Sequence, residues 1–259
     1  MKKRNTTFKI PSSFRLLFIG VVLFNLTWWL FAITFQNKAL PNPIDVYKAF
    51  SATLTQGMMA HSLASFRRVV IGTGISLIIA LILGTLTGLS KKANKLLNPL
   101  FYLSYPIPKL ALLPIIMILF GIGETTKIIM IILIIVFQLI ISIRDSIKSI
   151  NKENFYVLTS LKASKMQYIR HVVLPGILPD ILSALRVTVG IATSVLFVTE
   201  TFGTDKGLGF FIVDAWMRLD YITMYAGIVT ISIIGFILFL VIDITDALFC
   251  KWNKIRAGQ

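Results

Sequence analysis

Charge is scarce in this chain. Of its 259 residues only 14% are charged, while 56% are hydrophobic. A soluble globular domain carries about a quarter charged residues, so the balance excludes that class and points to an integral membrane protein. Cysteine is scarcer still. Cys250 is the single one, which excludes an internal disulfide and any Cys-x-x-Cys metal pair. The two histidines, His61 and His171, lie far apart in sequence and do not suggest a histidine-based metal site. A Gly-x-x-x-x-Gly-Lys-[Ser/Thr] phosphate loop is absent, so any nucleotide motor of that kind must be a separate chain. A His-Glu-x-x-His motif is absent too, and nothing positions a serine or lysine nucleophile. No catalytic residue and no metal ligand is assigned.

Long apolar runs are what the chain has in abundance. A helix needs about 20 apolar residues to cross a bilayer. Six runs qualify: Phe14–Phe35, Val69–Leu89, Leu97–Phe120, Lys127–Ile147, Pro179–Phe202 and Tyr221–Phe249. The first follows MKKRNTTFK and resembles a signal peptide, but it is longer than the roughly 7 to 15 residues of a signal core. No small-residue cleavage site follows it, and it reads as an uncleaved span. The third run is interrupted by Pro106, Pro108 and Pro114, breaks that are tolerated where neighbouring helices or a cavity satisfy the freed backbone groups. The fold class expected is therefore an all-α integral membrane protein with six transmembrane helices.

The net charge of +15 is a matter of placement. Lys2, Lys3, Arg4 and Lys9, then Lys91, Lys92 and Lys95, then Arg144, Lys148, Lys152, Lys162, Lys165 and Arg170, and finally Lys251, Lys254 and Arg256 fall on one side of the membrane. Lys38, Lys48, Lys127, Lys206 and Arg218 fall on the other, matched by Asp45, Glu124, Glu200, Asp205, Asp214 and Asp220. The positive-inside rule puts the first side, and both termini, in the cytoplasm. The charge is thus a topology signal that also favours anionic lipid, and a nucleic-acid partner is not expected.

One cytoplasmic loop is unlike the rest. In NKENFYVLTSLKASKMQYIRHVVLP, Phe155, Leu158, Leu161, Met166, Ile169 and Val173 recur at steps of three and four, the spacing of an amphipathic helix. Ser164 and Gln167 have capping-box spacing. The pattern predicts two short helices with a break near Lys162-Ala163-Ser164, the second ended by Pro175, with Pro179 starting the fifth span. Such a helix either lies on anionic lipid or seats its apolar face in a groove of a cytoplasmic partner; spacing does not choose.

Other candidates are polar groups inside the spans. Lys109 follows the Pro106-Ile107-Pro108 break, where a cation either attracts an anion or snorkels to the interface. Gln138, Thr193, Ser194 and Thr199 either line a cavity or join helices. Arg186 is expected to pair or snorkel, and Glu200 to be structural. In FGTDKGLGFF, Gly203, Gly207 and Gly209 permit a tight turn at the outer mouth, as a gate, a partner contact or a plain loop. Trp28, Trp29, Trp216 and Trp252 suit interfacial anchors.

The loop resembles the cytoplasmic signature of ABC importer permeases, Glu-Ala-Ala-x-x-x-Gly followed some ten residues on by an apolar residue, x, Leu-Pro. HSLASFRRVVIG with LILGTLTGLSKK, YPIPKLALLPIIMILFGIGETTKI and VTETFGTDKGLGFFIVDAW resemble the nitrate/sulfonate/taurine branch, in order, over most of residues 59–216, and ALPNPIDVYKAF resembles its segment after span one. Counted back from Leu174-Pro175, the signature's glutamate falls on Tyr156, its alanines on Val157 and Leu158, and its glycine on Lys162. A glycine there suits a left-handed turn; lysine in that conformation costs about 1 kcal/mol or more, so either Lys162 is strained or the turn differs.

The resemblance implies a type I importer permease. Residues 1–13 would be a cytoplasmic N-terminus, 14–250 one transmembrane unit with its core over 59–250 and the coupling loop over 148–175, and 251–259 a cytoplasmic tail. Tyr156, Leu158, Leu161, Lys162, Ala163, Ser164, Met166, Ile169, Leu174 and Pro175 would couple to the motor. Implied partners are ABC ATPase subunits that bind ATP-Mg, a second permease copy, identical or related, and an extracytoplasmic binding protein; this chain would hold no cofactor. The place is a bacterial or archaeal cell membrane, the inner one if there are two. The cargo would be a small anion such as a sulfonate, taurine or nitrate, although the branch also serves thiamine precursors and riboflavin-type solutes. An ion-coupled secondary transporter is the other reading, against which stand the few acids in the spans and the lack of a clear repeat.

Overall fold

Apolar runs of bilayer length become long helices, and polar caps and prolines decide where they start and bend. The structure, a computed structural model, describes residues 12–250 except 152, 154, 155, 157–159 and 161. No strand occurs among the described residues. Helix α1 covers Ser12–Phe35. Helix α2, Pro43–Thr53, is opened by the Asn42 side chain, which accepts the Ile44 N–H at 3.0 Å, and by Pro43 in its first turn. A π turn at Leu54–Met58 carries it into α3, Met59–Leu89. Next come α4, Lys91–Ser104, a 3₁₀ turn at Lys109–Leu112, α5, Leu113–Phe120, and α6, Glu124–Ser149. After the loop, α7, Lys165–Tyr168, runs through a π turn at Ile169–Val173 into α8, Leu174–Glu200. Helix α9, Leu208–Met217, and α10, Tyr221–Phe249, complete the order.

Five helical stretches are long and apolar enough to cross a membrane, and the bent pair α4–α5 makes a sixth. Two expectations change. Helix α3 starts at Met59 and not at Val69; its 31 residues span about 46 Å, more than a bilayer core of about 30 Å. The break expected in the third span is present: its halves meet at 85° across Pro106–Pro108, where proline removes donors and the helix cannot close. Pro175 does not end the loop helix, and Pro179 does not begin the fifth span. The helix is continuous from Met166 to Glu200. The wide turn at Ile169–Val173 takes up the clash between the Pro175 ring and the carbonyl four residues back.

The bundle is organised on α3 and α6, which make its most extensive helix contact. Gly72, Ser76, Ala80 and Gly84 are buried at four-residue spacing on α3. A Cβ on Gly72 would lie 2.7 Å from Ile131, and one on Gly84 2.8 Å from Ile143. Small residues thus bring the two backbones together, the usual route to tight packing where lipid supplies no hydrophobic drive between helices. Helix α8 packs on α6 beside them, through Ile177, Leu182 and Leu185 at one end, next to Val173 of the π turn, and through Ala192, Val195 and Leu196 further along. Helices α2, α9 and α10 close the Glu200 end around Val46, Met58, Leu208 and Phe211. Helix α1 stands apart and touches the rest through few side chains: Trp28 stacks on Tyr225 at 5.4 Å and donates to the Pro41 carbonyl at 3.1 Å, and Tyr47 donates to Asn25 at 2.6 Å.

Candidate functional site

Three regions carry the polar chemistry, and they are separate. The first is the loop that enters α8. Lys162 has φ 51, so the chain does make a left-handed turn at the position where the signature has glycine. The capping box forms just after it: the Ser164 N–H donates to Gln167 Oε1 at 2.6 Å, and the Gln167 N–H donates to Ser164 Oγ at 3.4 Å. Tyr156, Met166 and Leu174 are exposed, at 62%, 69% and 42%. Ala163, Ile169 and Pro175 are half-buried. Leu158 and Leu161 lie outside the described residues, as does Phe155. The result is a turn that presents large apolar side chains, joined without interruption to a spanning helix.

The second region is a groove of about 730 Å³ between the bend after α4 and the face of α8, lined by Ile107, Pro108 and Lys109 and by Gly190, Ser194 and Val198 among others. Lys109 Nζ donates to the Ser104 carbonyl at 2.8 Å and lies 5.7 Å from the centre of the Phe137 ring. It makes no ion pair among the described residues. Gly190, Ser194 and Val198 also line a second groove of about 780 Å³, shared with Thr193 and with α10. The rib at positions 190, 194 and 198 therefore divides two grooves, and small residues at its first two positions keep it low. Thr193 and Ser194 donate to the Gly190 carbonyl at 2.8 and 3.1 Å. Gln138 is half-buried and lines neither groove; Thr199 is buried and donates to the Leu196 carbonyl at 3.0 Å. Arg186 pairs with Asp243 of α10, its Nε 2.8 Å from Oδ1.

The third region, at the Glu200 end, joins Glu200 and the glycine turn, which were singled out, to Arg68 and Ser65, which were not. Arg68 of α3 is 1% exposed and Glu200 of α8 is 0% exposed, yet they form an ion pair at 2.6 Å. The same guanidinium reaches Glu124, the first residue of α6, with Nε 2.9 Å from Oε2 and Nη2 on Oε1. Ser65 Oγ lies 2.9 and 2.8 Å from the two Glu200 oxygens and accepts the Leu208 N–H at 2.8 Å. The Gly209 N–H donates to Glu200 Oε2 at 2.9 Å, Arg68 Nη1 donates to the Lys206 carbonyl at 2.8 Å, and the Gly207 N–H donates to His61 Nδ1 at 3.1 Å. A buried pair is tolerable only when its remaining donors and acceptors are satisfied, and here the loop backbone does so. A Cβ on Gly207, at φ 128, would lie 2.4 Å from Glu200 Cδ, and one on Gly209 would lie 2.5 Å from the Phe197 carbonyl oxygen. These two glycines are where backbone meets carboxylate. Gly203, at φ 58, packs on Ile122 of the loop before α6. His61, Ser65 and Arg68 stand at i, i+4 and i+7 in HSLASFRR; starting the helix at Val69 hid that polar face.

Cys250, after the end of α10, is buried, and burial pushes its thiol up to about 11. No grouping of three or more metal-ligating side chains occurs among the described residues.

Comparison with known proteins agrees with this geometry. The family model described as the inner membrane component of binding-protein-dependent transport systems matches residues 72–251. The taurine transport system permease protein of Escherichia coli is 34% identical over 91% of this chain and 89% of its own length. A protein named as an aliphatic sulfonates transport permease of Bacillus subtilis is 29% identical over 85% of this chain and 80% of its own. An inward-facing structure of a methionine ABC transporter superposes with a TM-score of 0.60 at 16% identity, covering 77% of this chain and 97% of that one, a likeness of fold.

Proposed function

We propose that this chain, which belongs to the family of binding-protein-dependent transport inner membrane components, is the permease of an ATP-driven importer for a small sulfonate. It is a multi-pass membrane protein and a transport subunit, not an enzyme. In the reading proposed, the loop over 148–175 faces the cytoplasm and rests on an ATPase subunit that binds ATP-Mg, a second permease completes the pathway, and an extracytoplasmic binding protein delivers cargo at the Glu200 end.

The observation that carries the reading is the unbroken helix from Met166 to Glu200. It joins the exposed apolar side chains of the loop to the rib that lines both grooves. Met166 and Ser194 are separated by about 42 Å along such a helix. Movement of Met166 and Leu174 with the motor would therefore tilt the rib and change the widths of the two grooves in opposite senses. At the far end, Arg68 ties α8 to α3 and α6 and supplies the fixed point against which a lever turns.

Similarity to the taurine permease supports the cargo class, and Lys109 supports the sign of its charge. An ammonium without a carboxylate partner in an apolar groove attracts a sulfonate and repels a cation. Ser194 stands on the opposite wall, where its hydroxyl would turn from the Gly190 carbonyl to donate to a sulfonate.

The test is reconstitution. The tagged chain is purified from detergent with whatever ATPase accompanies it, then placed in liposomes with its binding protein. ATP-dependent uptake of labelled taurine or an alkanesulfonate is expected. Recovery of the chain alone, with uptake that ignores ATP, would sink the motor; uptake of other solutes only would sink the cargo.

A further inference from the structure

We propose that the Lys91 end of the bundle holds a binding site for one anionic phospholipid, seated between α3, the loop helix and the start of α4. A cleft of about 620 Å³ opens there, lined by Ile82, Thr85, Leu86, Leu89 and Ser90 on one side and by Tyr168 and Ile169 on the other. It continues a lipid-facing stripe. Ile78, Ile82, Leu86 and Leu89 recur at steps of four and three along α3, at 60%, 63%, 49% and 46% exposed. An acyl chain lying on that stripe runs directly into the cleft.

The headgroup end is cationic. Lys91, Lys92 and Lys95 follow Ser90 directly, and all three are exposed. None of the three ammonium groups makes a hydrogen bond or an ion pair with another described residue. Two other cations on this side are already engaged: Arg144 pairs with Asp145 and donates to Asn98, and Lys148 Nζ donates to Asn94 at 3.1 Å. Lys91 and Lys95 stand one turn apart in the first turns of α4, so they repel each other and oppose the helix dipole. A phosphodiester among the three lysines relieves both penalties, and a zwitterionic lipid does so less well. The bound lipid would be a wedge between the end of α3 and the helix that carries Met166, and so would set the angle of the loop. The site stands independently of the cargo reading.

Native mass spectrometry of the purified chain, offered equal phosphatidylglycerol and phosphatidylcholine, tests it. Each lysine near a membrane surface is worth about fivefold in affinity for anionic lipid. The triple variant Lys91→Gln, Lys92→Gln, Lys95→Gln is thus expected to lose more than about tenfold of the preference for retained phosphatidylglycerol. Leu86→Trp, which fills the cleft, is expected to displace the lipid, whereas Ile118→Trp, on the exposed surface of α5, is not. Gel filtration establishes that each variant is monodisperse. Equal retention of the two lipids, an unchanged preference in the triple variant, or equal retention in the two tryptophan variants would each overturn the proposal.

Discussion

Replacing Lys162 by glycine should stabilise the loop. The residue sits at φ 51, where an L side chain crowds the following carbonyl at a cost of about 1–2 kcal/mol. Glycine removes that cost but gives back about 0.5–1 kcal/mol in unfolded-chain entropy, leaving a net gain of about 0.5–1 kcal/mol. Local opening should then become about two- to fivefold rarer. The reporters are the amides of Gln167 and Tyr168, bonded to Ser164 Oγ and to the Ser164 carbonyl. Their hydrogen exchange, read by mass spectrometry, should slow by that factor in Lys162→Gly. Lys162→Ala removes the charge and keeps the strain, so it should show no slowing, and Lys162→Val should exchange faster. Melting of the spans should not move, because the loop opens without them. Equal slowing in the glycine and alanine variants would refute the reasoning and assign the effect to charge.

Three other outcomes are expected. Glu200→Ala leaves Arg68 buried beside a single carboxylate, and it should cost about 3–5 kcal/mol, seen as a large drop in the detergent melting temperature. Gly207→Ala should be nearly as harmful, because its Cβ meets Glu200 and its φ is 128, whereas Gly57→Ala, with open space at φ 103, should bear the backbone cost alone. Cys250, held at about 11 by burial, should react with a maleimide at pH 8 far more slowly than an exposed cysteine. That rate should climb with pH, since only the thiolate reacts, and denaturation should abolish the difference.

The spans were legible because a bilayer imposes a length and a composition that few other contexts impose. The capping box at Ser164 was legible because it is local, and the left-handed turn was one of two alternatives that the position of Lys162 left open. What escaped needed partners from elsewhere. Arg68 meets residues 56 and 132 positions away, and two arginines precede the apolar run at Val69, so a count of apolar residues begins α3 too late. Proline at 106 and 108 announces a break but not an angle of 85°. The continuity of α8 with the loop turned on a π turn, for which HVVLPGILP carries no signal, since its prolines argue for a boundary.

Helix α1 meets the bundle through Trp28, Asn25 and few other groups, and just 6% of its most apolar stretch is buried. A segment so nearly finished by lipid alone has no need to wait for its neighbours during biosynthesis. It can be released into the bilayer as soon as it is made, and it keeps the growing chain moored there. The later helices, in the case of α6 with half of its most apolar stretch buried against protein, have to assemble together.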